Sequence, residues 1–273
     1  MNKWWSIAGW SFMIVMVVVV LGFAGHEQEK SLVKRPTVSI SVVDENAFLT
    51  EDELLTRLKR KGLLFNGQLV EGLKTDAIEA YIREMHEVES ADVYRRMGGH
   101  WSIRVQVRQP LSRIFNKDGE SFYVDSKGAT MDPSPNFTAR VLVFSGDIPD
   151  RSDSLTVDDI MSNDSLRDAR LLDDIFRISS YVAKDPFLRA QISQVHRTAG
   201  GDFVLVPQVG NHKIIFGSAR TEMEVKEKMD KLKTFYKEGL PYEGWNKYET
   251  INLKFRNQIV CKKKEEVVPA PEQ

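Results

Sequence analysis

Apolar and polar positions in this chain follow three rhythms, and each rhythm keeps to its own stretch. From Trp4 to Gly25 the pattern is an unbroken apolar run without a formal charge, WWSIAGWSFMIVMVVVVLGFAG, long enough to predict one membrane-crossing helix. Trp4, Trp5 and Trp10 crowd its first half, and two of them suit the headgroup level. The rival reading is a cleaved secretory signal, with Gly22-Phe23-Ala24 as the small-x-small site. An uncleaved anchor is favoured, because the run exceeds the usual apolar core of about 7–15 residues and only Lys3 precedes it. Lys30, Lys34 and Arg35 follow the run, offset in part by Glu27 and Glu29, so charge leaves the orientation open.

Residues 26–36 are polar and read as a stalk. Beyond them the pattern alternates between period two and helical stripes. Val38, Ile40 and Val42 predict a strand over 37–43. Thr50 to Glu53 has the spacing of a capping box ahead of the stripe Leu54, Leu55 and Leu58, and Ile78, Tyr81, Ile82 and Met85 mark a second helix. Residues 88–96, Gly98-Gly99 and the alternation Trp101, Ile103, Val105 and Val107 predict a hairpin. The order is β-α-α-β-β, which lets two helices cover one face of a three-stranded sheet.

The second part, 110–261, is richer in strands. Predicted strands lie at 111–115, 122–124, 141–144, 192–196, 203–206 and 213–216, and a final strand runs from Ile251 through Val260. Residues 146–166 read as a surface loop with at most a short helix. Helices are expected over 167–183 and 223–236. Residues 262–273 form a polar tail containing proline, expected to be disordered. The fold class is therefore α+β, with one transmembrane helix, a β-α-α-β-β module and a mixed β-rich domain with flanking helices.

Composition removes several function classes. The 38 basic residues nearly balance the 39 acidic ones, which gives no global field for nucleic acid. One cysteine, Cys261, excludes an internal disulfide framework. The five histidines, His26, His86, His100, His196 and His212, show no pair at metal-ligand spacing. No phosphate-binding glycine loop, nucleophile elbow or dinucleotide fingerprint occurs. Asp164, Asp168, Asp173 and Asp174 alternate with Arg167 and Arg170, a pattern that favours a solvated helix face with local ion pairs over a cation site. No catalytic residue, cofactor or metal site is predicted. A membrane-tethered hydrolase would need His196 or His212 beside a carboxylate and a nucleophile. The terminal strand, rich in β-branched and aromatic residues, is instead a plausible open edge for another chain's strand.

Several strings, in this order behind one anchor, resemble the bacterial cell-division family FtsQ, also called DivIB. Val88 to Val93 followed by Trp101 to Pro110 is similar to that family's POTRA module. Phe122 to Gly128 resembles its aromatic-hydrophobic-Asp-x-x-Gly hairpin, and Phe203 to Pro207 with Ile215-Phe216-Gly217 its later strands. Ile251 to Phe255 stands where the family usually shows Asp-Leu-Arg-aromatic, with Asn252 and Lys254 departing from it.

The resemblance implies a non-enzymatic, membrane-anchored divisome scaffold at the division site. Its parts would be a cytoplasmic stub (1–3), the transmembrane helix (4–25) that touches the lipid bilayer, the stalk (26–36), a POTRA-like domain (37–109), an FtsQ-type β-domain (110–261) and the tail. The chain would be a single-pass inner-membrane protein with a cytoplasmic N-terminus and periplasmic domains. It also implies FtsB-like and FtsL-like coiled-coil membrane proteins as partners, with other divisome proteins. By position, Trp245, Tyr248, Ile251, Leu253, Phe255 and Ile259 would form or support the partner-binding terminal edge. The alternative from the same architecture is a POTRA-containing component of polypeptide transport or outer-membrane assembly.

Overall fold

Val38 and Ile40 turn inward from a short strand and begin the packing of the first of two units, Met1–Arg108 and Gln109–Gln273. The computed structural model describes residues 4, 9–19, 32–42, 48–96, 99–135, 137–153 and 155–264. Within the expected membrane span, residues 4 and 9–19 are helical and exposed, whereas 5–8 and 20–25 lie outside the described residues. Among the described residues no helix is long and apolar enough to cross a membrane.

The first unit contains β1 (Thr37–Ser41), α1 (Glu51–Arg60), α2 (Thr75–Arg83), β2 (Val88–Arg95) and β3 (Trp101–Val107). The sheet order is β1-β3-β2, parallel between β1 and β3 and antiparallel between β2 and β3. Leu54, Leu58, Ile78 and Ile82 bury the helical stripes, while Val88, Ala91, Ile103 and Val105 supply the buried positions of β2 and β3. Thr50 caps α1 by accepting from the Glu53 amide at 3.3 Å, and the Glu53 carboxylate pairs with Arg57. The indole of Trp101, fully buried, donates to the Lys34 carbonyl at 2.8 Å, so the chain just before β1 is already fastened to this unit. Gly99 has a positive φ of 73°, and Gly98 lies outside the described residues.

The second unit is built on a nine-stranded sheet. In chain order its strands are β4 (Pro110–Phe115), β5 (Ser121–Asp125), β6 (Thr130–Met131), β7 (Leu142–Gly146), β8 (Ile192–Arg197), β9 (Phe203–Pro207), β10 (Lys213–Gly217), β11 (Tyr248–Asn252) and β12 (Val260–Lys263). Their order across the sheet is β12-β11-β10-β9-β8-β7-β4-β5-β6. Parallel neighbours need a crossover, and helices supply two of them. Between β7 and β8 run α3 (Val157–Met161), α4 (Asp164–Ala169), α5 (Leu172–Lys184) and α6 (Pro186–Gln191); between β10 and β11 run α7 (Glu222–Thr234), a π-type turn (Phe235–Gly239) and α8 (Leu240–Glu243). Ile175, Ile178 and Val182 of α5 and Val225, Met229 and Leu232 of α7 share one core with Ile114, Phe144, Val195, Leu205, Ile214 and Ile251 of the sheet.

The β5–β6 hairpin shows why its string carries Asp and Gly. The buried Asp125 carboxylate accepts from the Lys127 amide at 2.9 Å and the Ala129 amide at 2.8 Å. Gly128 has φ 80°, and a Cβ there would come within 2.7 Å of the Val157 side chain.

Three expectations change. The segment 146–166, expected to hold at most a short helix, holds one as α3 and also the start of α4; the N-terminus of α3 is a full capping box, in which Thr156 Oγ1 accepts from the Asp159 amide and the Asp159 carboxylate accepts from the Thr156 amide. The helix expected over 167–183 is broken between α4 and α5. There the fully buried Asp150 accepts from the Leu171 amide at 3.0 Å and lies 3.2 Å from Arg170 Nε as an ion pair, without the alignment of a hydrogen bond. Burial pushes the Asp150 pKa up, against the opposing pull of the Leu171 amide and Arg170. The junction thus keeps a charge at some cost, as a buried ion pair does. The third change, in the terminal strand, is described with the functional site.

Asp150→Ala strands the Leu171 amide and leaves Arg170 with Asp153 as its remaining partner, and it is expected to cost about 2 kcal/mol in urea unfolding; a loss below about 0.5 kcal/mol would show that this contact does not hold the junction. A second test concerns pH. Asp174, on the first turn of α5, has its pKa raised from 3.8 to about 6 by burial and by neighbouring Asp173, against Arg177. The native state therefore binds more protons than the unfolded chain between those two values, so this contribution is fully present below the lower one and is lost as pH rises through the upper. Asp174→Asn is expected to be more stable than the parent at neutral pH by on the order of 2 kcal/mol, with the difference vanishing near pH 4. An equal gain at both pH values would contradict the assignment.

Candidate functional site

The end of the second unit's sheet is made by a hairpin where the alternation predicts one strand. β11 ends at Asn252, the chain leaves the ladder, and β12 returns antiparallel, pairing Ile251 with Cys261 and Asn252 with Val260. Local chemistry explains the reversal. Asn252 Oδ1 accepts from the Lys254 amide at 3.0 Å, an Asx-type turn that competes with ladder bonding. Lys231 of α7 reaches across and donates to the Leu253 carbonyl at 3.1 Å and the Phe255 carbonyl at 2.7 Å, which takes both acceptors out of the sheet. Asn257 then adopts φ 58°, a left-handed conformation that asparagine tolerates.

This geometry separates the six sequence-predicted residues. Tyr248, Ile251 and Leu253 are buried and belong to the core of the unit. Trp245 is half-buried against the Tyr236 ring, with centroids 5.5 Å apart, and Ile259 packs partly against the same core. Phe255 is 45% exposed at the reversal. Only Phe255, and in part Trp245 and Ile259, therefore present side chains outward; the other three support the edge from beneath. The edge itself is β12, which ends the sheet with β11 on one side. Val260, 44% exposed, and Lys262 and Lys263 show outward from it. Lys262 and Lys263, assigned above to the tail, are in this strand, and the Lys264 amide donates to the Lys247 carbonyl at 3.0 Å; residues 265–273 lie outside the described residues. The Arg256-Asn257-Gln258 tripeptide inside an otherwise alternating run is the signal that could have revealed the hairpin.

A groove of about 840 Å³ runs beside the edge between α7, the π-type turn and the reversal, with Phe235, Gly239 and Ile259 as its apolar floor and Glu227 and Glu238 on its rim. Asp230, also on the rim, is held down to about 2 by its hydrogen bond to Lys226, helped by Tyr181 and Lys233. Burial pushes the Cys261 thiol up, which disfavours the reactive thiolate.

Neither His196 nor His212 forms a hydrogen bond to a carboxylate among the described residues. Exposed His196 meets the Ser145 hydroxyl at 3.3 Å, and buried His212 meets the Tyr236 hydroxyl at 2.7 Å, so neither contact supplies a carboxylate. Burial lowers the His212 pKa. The acidic stretch is engaged by arginine: Asp173 and Asp174 both pair with Arg177, at 2.7 and 2.8 Å, and Asp164 with Arg167 at 3.5 Å. Among the described residues no three His, Cys, Asp or Glu side chains come together as a metal site.

Comparison with known proteins places these units. A family model described as FtsQ/DivIB, C-terminal related, matches residues 109–262, over half of the chain, and a POTRA-like domain model matches residues 34–106. No curated protein matches the chain. The mixed α+β architecture, the β-α-α-β-β first unit and the match across nearly all of the described second unit lead to one conclusion: the chain is a member of the FtsQ/DivIB family, whose role lies in cell division, and it carries a POTRA-like domain.

Proposed function

We propose that the chain is a membrane-anchored divisome scaffold whose β12 edge takes a strand from an FtsB-like coiled-coil membrane protein, in a complex that includes an FtsL-like chain. The observation that carries this reading is the position of β12 at the end of the sheet, beside exposed Phe255 and Val260. Strand addition aligns a partner through main-chain hydrogen bonds, and apolar side chains at the junction supply the anchors. Asn252 and Lys254, the departures from the family's string, have structural duties here. Asn252 shapes the reversal, and Lys254 Nζ pairs with Asp202 at 2.7 Å. In this reading residues 4–25 cross the inner membrane once, the N-terminus is cytoplasmic, both folded units are periplasmic, and the POTRA-like unit serves recruitment to the septum. The scaffold performs no catalysis.

Phe255→Glu and Val260→Glu test the edge. Both side chains are exposed, so urea unfolding is expected to move by no more than about 0.5 kcal/mol. Capture of the FtsB-like chain from host membranes is expected to weaken at least about tenfold, that is about 1.4 kcal/mol. Unchanged capture by both variants would overturn the edge assignment. Leu253→Glu is unsuitable as a binding probe, because this fully buried side chain is core and its loss would unfold the unit.

A further inference from the structure

The first unit carries a second surface that the edge-binding role leaves unused. Residues 59–65 read Lys-Arg-Lys-Gly-Leu-Leu-Phe, a basic triplet leading into an apolar tip. Phe65 is 59% exposed, and it shares its surroundings with Leu69, 44% exposed, and Leu32, 62% exposed. Backbone contacts bring the three together. Leu32 forms an antiparallel bridge with Leu69, and the Val33 amide donates to the Gln68 carbonyl at 2.8 Å. The turn that carries Phe65 is fixed from beneath: buried Gln68 accepts from the Phe65 amide at 3.3 Å through Oε1 and donates to the Gly72 carbonyl at 3.2 Å through Nε2. The backbone that carries the exposed phenylalanine is thus held in place by a buried side chain.

The neighbouring basic residues divide into paired and unpaired ones. Arg57 is committed to Glu53 and Glu87, and Arg35 to Glu51 and Asp52. Lys59, Arg60 and Lys61 are exposed and form no ion pair among the described residues; Lys61 lies 5.5 Å from the Tyr81 ring centroid. Lys59 lines the same hollow as Phe65 and the Arg35-paired Asp52, and Arg60 and Lys61 line the next one with Tyr81; an apolar tip on a unit with these unpaired cations complements an anionic bilayer surface, where apolar side chains enter the acyl boundary and the cations meet phosphate. Chain length adds to this. The apolar run ends at Gly25, and the seven steps from there to Leu32 span at most about 25 Å, so on the anchor reading, on which this inference rests for proximity, the patch cannot stand far from the membrane.

We propose that Leu32, Phe65 and Leu69, with Lys59, Arg60 and Lys61, form a bilayer-docking surface that takes anionic phospholipid headgroups. The test uses the full chain with Cys261→Ser and Phe65→Cys, labelled at position 65 with an environment-sensitive fluorophore and reconstituted in phosphatidylcholine vesicles with or without phosphatidylglycerol. The expected result is a blue shift and quenching by acyl-chain doxyl lipids in the anionic vesicles, with no shift for a label at exposed Ser39. The triple reversal Lys59→Glu, Arg60→Glu and Lys61→Glu is expected to abolish the shift. A label at 65 that keeps its aqueous emission in anionic vesicles, or a shift that persists in neutral vesicles or after the reversal, would overturn the proposal. Carbonate washing of the same vesicles reads the anchor separately. A chain that resists washing while its label stays aqueous loses only the docking surface, and a chain washed off after its label has shifted loses only the anchor.

Discussion

Every backbone amide and carbonyl removed from water needs a partner, and an open sheet meets that demand everywhere except at its two ends. In the second unit the strands from β5 across to β11 are paired on both sides, and the deficit is concentrated at β12 and β6. β6 is only two residues long, so it leaves little to template. β12 is longer and follows an exposed aromatic corner, yet it carries Lys262 and Lys263, and Lys262 pairs with Glu249 at 2.6 Å. Cationic edge residues discourage pairing between two copies of the same strand, while the main-chain groups stay accessible to a partner of different charge.

That edge is where it is because of α7. Lys231 takes the Leu253 and Phe255 carbonyls out of the ladder, and burial lowers the pKa of its ammonium. Lys228, one turn earlier, donates to the Ser218 carbonyl at 2.8 Å and lies 5.0 Å from the Phe216 ring centroid, so the same helix also fastens the end of β10. The helix that crosses from β10 to β11 thus positions both strands that precede the edge. Sheet end and crossover helix form one mechanical object, and damage to α7 would be read at β12.

Much of the fold was legible because burial imposes its period on the sequence. Val38, Ile40, Ile103 and Val105, or Leu54 and Leu58, declare strand and helix without help from the rest of the chain. What failed to show were features decided from a distance. The α4–α5 break depends on Asp150, some twenty residues upstream, and the β11–β12 reversal on Lys231, more than twenty residues upstream. At the candidate site the same physics mixes supporting residues with outward ones. Apolar alternation identifies the face that meets the core, so Tyr248, Ile251 and Leu253 stood out because they are buried. Of the reachable residues, Phe255 keeps the phase of Ile251 and Leu253 and is exposed because the chain has left the ladder there, whereas Val260 falls out of that phase. The α3 capping box was overlooked for a different reason, since Asp159 performs at the third position the role usually sought in Glu or Gln.

Strand addition at a short edge with few outward anchors aligns a partner better than it holds one, since four residues of β12 offer few main-chain bonds. On the anchored reading, confinement compensates. The Trp101 indole fixes the chain at Lys34, so the link between bilayer and first unit is no longer than the stalk, and both the scaffold and membrane-borne partners search a thin layer instead of a volume. Effective concentration then rises without any new contact. A bilayer-docking patch at Phe65 would tighten the layer further by limiting how freely the first unit pivots on its stalk. Weak, reversible pairing at β12 would then suit a scaffold whose assembly is set by location more than by intrinsic affinity.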